Sequence, residues 1–146
     1  MALREIRILG DEILRKTSRE VEVVDERIKE LIEDMKETMI ASEGVGLAAP
    51  QIGILKRIVI VMDGKKIIAL VNPKIIEKEG SCIDYEGCLS VKKKTVKVAR
   101  PEKVKVQALD ENGNAIEFVA EGFFARVISH ELDHLDGILI VDKAED

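Results

Sequence analysis

Apolar residues recur at helical spacing in two stretches of the chain and at alternate or consecutive positions in several segments between them. In the first stretch Ile28, Leu31, Ile32, Met35 and Met39 fall on one stripe, while Glu30, Glu33, Asp34, Lys36 and Glu37 face away. Asp25 is a suitable N-cap, so a helix is predicted from there to about Ala41. The second stretch runs over about 121–136, where Phe123, Val127, His130 and His134 share a stripe and Gly137 supplies the stop. β-Branched runs at 57–62 and 67–72 flank Asp63-Gly64, a hairpin signal, and 74–78 reads as a third strand. Segments 94–99 and 103–109 alternate Val with Lys or Gln, which predicts one wet face each, and the turn at 110–114 leads to a partner strand at 115–119. Residues 6–24 have no clean period and read as a short extended piece plus a turn. These pieces predict an α+β fold of antiparallel sheets. No repeat or linker divides the chain, so residues 1–146 are read as one domain.

Composition narrows the function classes. A chain that is 46% hydrophobic and 35% charged has what a core and a solvated surface require, and is not disordered. One Tyr, three Phe and no Trp leave little for base stacking, and a net charge of −5 gives no overall attraction to nucleic acid. The run Lys92-Lys93-Lys94 is read as a solvated face. No stretch approaches the roughly 18–20 apolar residues that span a bilayer, and the charged start is unlike a signal peptide, so a cytoplasmic location without membrane attachment is expected. The two cysteines, Cys82 and Cys88, are too few for a disulfide framework.

The candidate chemistry begins with the two histidines, His130 and His134, which stand four apart with Glu131 directly after the first. On a helix they project from one face and can bind one divalent metal, while Glu131 is close enough to handle a proton of an attacking water. The same pattern also suits an ordinary amphipathic turn. A catalytic site of this type takes three protein ligands. Only 135–146 follows His134, with acidic residues but no His or Cys, so the third ligand is expected upstream. There the segment Tyr85-Glu86-Gly87-Cys88-Leu89-Ser90 offers a thiolate, a good partner for a borderline metal with two imidazoles. A small buried hydrophobe is the alternative role for Cys88, and Cys82 is read as core filling. The loop 44–53 contains three glycines that allow close backbone approach but lacks a full phosphate-cradle pattern; Gln51 places a carboxamide donor at its end. Phe123 and Val127 set an apolar wall beside the histidine face, as a pocket for an unbranched apolar side chain requires, and core packing is the equal alternative for both.

The segments GVGLAAPQ at 44–51, EGCLS at 86–90 and HELDH at 130–134 together resemble the three motifs of the peptide deformylases, in that family's order. The resemblance implies antiparallel sheets packed around a C-terminal helix that carries the histidines, and removal of the formyl group from N-terminal formylmethionine of nascent chains. It implies that Cys88, His130 and His134 hold a divalent ion, with Fe(II) as the native metal and Zn(II), Ni(II) or Co(II) as alternatives. By the same resemblance Glu131 carries the proton, and Gln51 with the backbone N–H of Leu89 stabilises the formyl oxygen. Gly46 would hold the peptide backbone in an extended pose; Val45, Phe123 and Val127 would line the methionine pocket; Glu86 and Asp133 would orient the histidines. Lys92, where many members have Pro, and Ser129, where Gln is common, depart from the pattern. The chain ends soon after Gly137, so ribosome proximity is expected without a long C-terminal docking helix. An H-E-x-x-H metallopeptidase and a non-catalytic metal-binding module are the alternative readings.

Overall fold

The computed structural model describes residues 2–145, with the side chains of Lys92 and Lys93 outside the described set. Its chain order is α1 (Glu26–Ala41), β1 (Gly46–Ala48), β2 (Ile58–Asp63), β3 (Lys66–Glu79), β4 (Cys82–Cys88), β5 (Val91–Arg100), β6 (Lys103–Leu109), β7 (Ala115–Glu121) and α2 (Gly122–Leu135), with short 3₁₀ turns at Glu12–Arg15, Ala49–Ile52 and Ile140–Asp142. One antiparallel sheet has the order β1-β2-β3-β6-β7, and a separate two-stranded sheet pairs β4 with β5.

The five-stranded sheet is sandwiched between the helices. Along β2, Ile58 and Ile60 join a cluster with Ile28, Ile32, Met35 and Met39 of α1, whereas Val59 and Val61 join Ala125, Val127, Ile128 and Leu135 of α2. That two-sided burial explains why β2 is a continuous apolar run rather than an alternating one. Farther out, β6 buries Val104, Val106 and Ala108 and wets the residues between them, as its period-two pattern predicts. The predicted helices are present: the Asp25 side chain accepts from the Ile28 N–H at the start of α1, and Gly137, at φ 75°, follows α2.

Five expectations are corrected. The segments read as two strands at 67–72 and 74–78 form the single strand β3, with a register shift between Val71 and Lys74. Pro73 marks this bulge, where the missing ladder donor is tolerated; Asn72 adopts φ 52° and its side chain pairs with both backbone groups of Val21. The segment 82–88, to which the pattern assigns no strand, forms β4, and the glycine-rich loop contains β1. Cys82 is exposed at the start of β4 and does not fill the core. Asp34, assigned to the wet face of α1, is buried, because Arg4 Nε and Nη2 (3.0 and 2.8 Å) and the Ala2 N–H (2.7 Å) donate to its carboxylate and offset its desolvation.

Although burial raises the Asp34 pKa, these hydrogen bonds outweigh it and hold the carboxyl below its usual 3.8. The group's contribution to stability is therefore full above about pH 4 and is lost as pH falls through its folded-state pKa. Asp34→Asn is expected to cost about 1–3 kcal/mol at neutral pH, with the difference from wild type shrinking on acidification, as read by urea melts at neutral and low pH.

Candidate active site

Helix α2 presents its histidines toward the end of β4, and three donor atoms converge there. His134 Nε2 lies 3.4 Å from Cys88 Sγ and 3.3 Å from His130 Nε2, and the three ligand atoms all fall within 4.8 Å of one another. A carboxylate can only accept, so the 2.9 Å contact from His130 Nδ1 to Glu86 Oε1 assigns the proton to Nδ1 and leaves Nε2 facing the cluster. One thiolate and two imidazoles, with the outer nitrogen of one ring fixed by a carboxylate, are a donor set that fits a divalent transition metal. Among the described residues, His134 Nδ1 and Glu131 Oε1 are buried without a hydrogen-bond partner.

Charge is arranged around this cluster by burial and pairing. Burial opposes ionisation of Glu86, but hydrogen bonds from His130 and Arg100 outweigh it and bring its pKa down to about 2. Glu131 is raised to about 7, chiefly because its carboxylate is desolvated. His134 is lowered to about 3 by burial and then by the neighbouring His130, so its ring is neutral and ready to coordinate. Burial also works against a charged His130, yet Glu131, Cys88 and Glu86 together raise it to about 10. A metal bound at this cluster would compete with protons for these atoms.

A cavity of about 360 Å³ opens onto the cluster. Val45, Gly46, Gln51, Cys88, Leu89, Phe123, Val127, His130 and Glu131 line it, and His134 is buried beside them. The candidate ligands, Glu131, Gln51, Leu89 and the candidate pocket residues thus lie around one cavity. Gln51 is oriented by its own loop: its Oε1 accepts from the Ala48 N–H (2.9 Å), and its Nε2 donates to Ser90 Oγ (3.1 Å) and faces Cys88 Sγ at 3.6 Å. Leu89 and Ser90 form the two-residue turn between Cys88 and Val91, which leaves the Leu89 N–H outside the strand ladder. Val127 is buried in the wall, whereas Val45 and Phe123, at 43% and 66% exposure, stand at the rim. Gly46 is tightly restricted, since a Cβ there would lie 2.5 Å from Glu131 Oε2.

Asp133 plays a different part from the one expected. It pairs with Arg100 rather than with a histidine, and the histidine contact belongs to Glu86. Three residues of the site have no role assigned from the sequence. Ser90 positions Gln51, and the buried Arg100 and Arg126 both donate to Glu86. Arg126 stands four residues before His130, on the same helical face, and that spacing was the signal available for it. Nothing in the local pattern of β5 distinguishes Arg100.

The family model described as polypeptide deformylase matches residues 3–146. Peptide deformylase 1 of Clostridium acetobutylicum is 54% identical over 143 residues, covering 98% of this chain and 95% of that protein. The peptide deformylase of Caldicellulosiruptor bescii is 55% identical over 143 residues, covering 98% and 86% respectively. The crystal structure of the peptide deformylase from Thermotoga maritima superposes with a TM-score of 0.96 at 41% identity, covering 99% of each chain.

Proposed function

The chain belongs to the polypeptide deformylase family and is a metal-dependent hydrolase that removes the N-formyl group from newly made polypeptides; we propose that Cys88, His130 and His134 hold its metal, Glu131 moves the proton, and Gln51 with the Leu89 N–H receives the formyl oxygen. The observation that carries these assignments is the convergence of one cysteine sulfur and two imidazole nitrogens on a cavity that also contains a buried, partnerless Glu131 oxygen. When bound, a divalent ion supplies Lewis acidity toward a water and a carbonyl oxygen.

Glu131 takes a proton from the water that adds to the formyl carbon and delivers it to the amine as the carbon–nitrogen bond breaks, giving formate and a free amino terminus. Its raised pKa, about 7, suits a group that must both accept and return that proton. Negative charge gathers on the formyl oxygen, where the Gln51 Nε2 and Leu89 N–H donors are expected to stabilise it. Gln51 is held for this by Ala48 and Ser90, so little reorganisation is required.

Substrate backbone is expected to bind as a strand. Among the described residues β1 pairs with β2 alone and β4 with β5 alone, so each presents an open edge, and residues of both line the cavity. Gly46 on β1 offers its main chain to an extended peptide. Val127, with Val45 and Phe123 at the rim, supplies the apolar lining for the methionine side chain. We place Fe(II) first as the native metal, as the family resemblance implies, and the donor set is equally compatible with Zn(II), Ni(II) and Co(II). We also place the enzyme in the cytoplasm, where nascent chains emerge near the ribosome. In keeping with this, no helix among the described residues is long and apolar enough to cross a membrane. Residues 1–146 act as one catalytic domain in this reading.

The test is formate release from formyl-Met-Ala-Ser by metal-replete protein, beside unformylated and internally blocked peptides. Loss of activity on chelation and its return with Fe(II), prepared anaerobically, is the expected result. Full metal occupancy without formate release would sink the assignment. Gly46→Ala is expected to lower kcat/KM about 10²-fold, because the added methyl group displaces the Glu131 carboxylate from its position. The measurement is kcat/KM on the formylated tripeptide with metal content held equal.

A further inference from the structure

We propose that Arg126 is a positioning residue for the metal centre: its guanidinium fixes the β4–β5 hairpin, which carries Cys88, against α2, which carries both histidines. The inference rests on the metal site proposed above. Among the described residues β4 and β5 form their own sheet and α2 packs on the five-stranded one, while a backbone bridge joins Val98 of β5 to Ala144 in the segment that follows α2. From α2 itself, the polar contacts to the hairpin are made by side chains.

Arg126 makes that connection at three points. Its Nη1 donates to Glu86 Oε2 (2.6 Å) and to the Val98 carbonyl (3.0 Å), and its Nη2 donates to the Cys82 carbonyl (2.7 Å). One side chain thus grips both strands of the hairpin, and through Glu86 it acts on the group that holds the His130 ring. Arg126 and Glu86 are each about 7% exposed, so solvent competes little with these contacts, and charge-assisted hydrogen bonds are the stronger kind. Arg100 also binds Glu86, but it belongs to the hairpin itself and reaches α2 through Asp133. A planar guanidinium can bond to three acceptors in different directions at once; a leucine of similar bulk can bond to none, and a lysine offers one nitrogen for all of them.

Competition for Co(II) between the Co(II)-loaded protein and a chromophoric chelator reads metal affinity, and the thiolate-to-Co(II) absorption reads the placement of Cys88. Arg126→Leu is expected to weaken Co(II) binding about 10- to 100-fold and to shift that absorption, with Arg126→Lys falling between it and wild type. Urea melts report whether each variant is folded, and a role in folding alone would leave affinity and spectrum unmoved. A folded Arg126→Leu protein with wild-type affinity and spectrum overturns the proposal. Should that variant fail to fold, Arg126→Lys decides: weakened binding supports the proposal, and wild-type affinity overturns it. Absence of Co(II) binding by the wild-type chain overturns the metal-site reading, and this inference with it.

Discussion

Replacing Glu131 with glutamine is expected to leave the protein folded and loaded with metal while lowering kcat for formate release by about 10²- to 10⁴-fold. Glutamine has nearly the same shape, so it fits the narrow space beside Gly46 that a larger group would not. It cannot, however, accept a proton from water and return it to the leaving amine. Glu131 is not one of the three convergent ligand atoms, so metal content should remain at the wild-type level. Removing its charge also relieves the desolvation that raises its pKa, so the folded state should not suffer. The measurements are metal content, thermal melting and single-turnover formate release on one preparation. Near-normal deformylation by this variant would assign the proton transfer to another group.

Glu86→Gln is expected to be more damaging to structure than its one-atom change suggests. In the wild-type protein Oε1 accepts from Arg100 Nη2 and His130 Nδ1, each at 2.9 Å, while Oε2 accepts from Arg100 Nε at 3.0 Å and Arg126 Nη1 at 2.6 Å. Both oxygens therefore face only donors in these contacts. Whichever way a carboxamide is turned, its NH₂ meets N–H groups, and two buried guanidinium groups lose their shared counter-charge. Breaking a buried ionic cluster from one side costs about 3–5 kcal/mol, and loss of an outer partner to a metal-ligating histidine lowers metal affinity about 10- to 100-fold. Urea denaturation and chelator competition measure the two effects separately. A variant with unchanged stability and affinity would show that Glu86 neither anchors the cluster nor orients His130.

Local pattern made much of this molecule legible. The α1 stripe, the α2 stripe, the Asp63-Gly64 hairpin and the wet and dry faces of β6 all follow from side-chain periodicity, because each element needs only one consistent apolar face to announce itself. Strand β1 escaped notice because three residues within a glycine-rich loop are too short to show a period. Strand β4 escaped because its exposed residues and its single buried acid, Glu86, do not alternate by polarity. Asp34 was misplaced for a related reason: its partners are Arg4 and Ala2, some thirty residues away, and helical spacing carries no record of them.

The groups proposed to react were legible along the chain, since the candidate ligands, the acid beside them and Gln51 sit in short motifs whose spacing is set by one helix turn or one loop. Their meeting depends on contacts between distant segments. The tertiary structure carried Cys88 across from a separate two-stranded sheet to within 3.4 Å of His134, and it surrounded Glu86 with Arg100, Arg126 and His130. The physical reason is the range of each interaction. Periodicity is written between neighbouring turns and alternate strand positions, whereas a buried charge is stabilised by whichever donors the fold brings to it, at any separation along the chain.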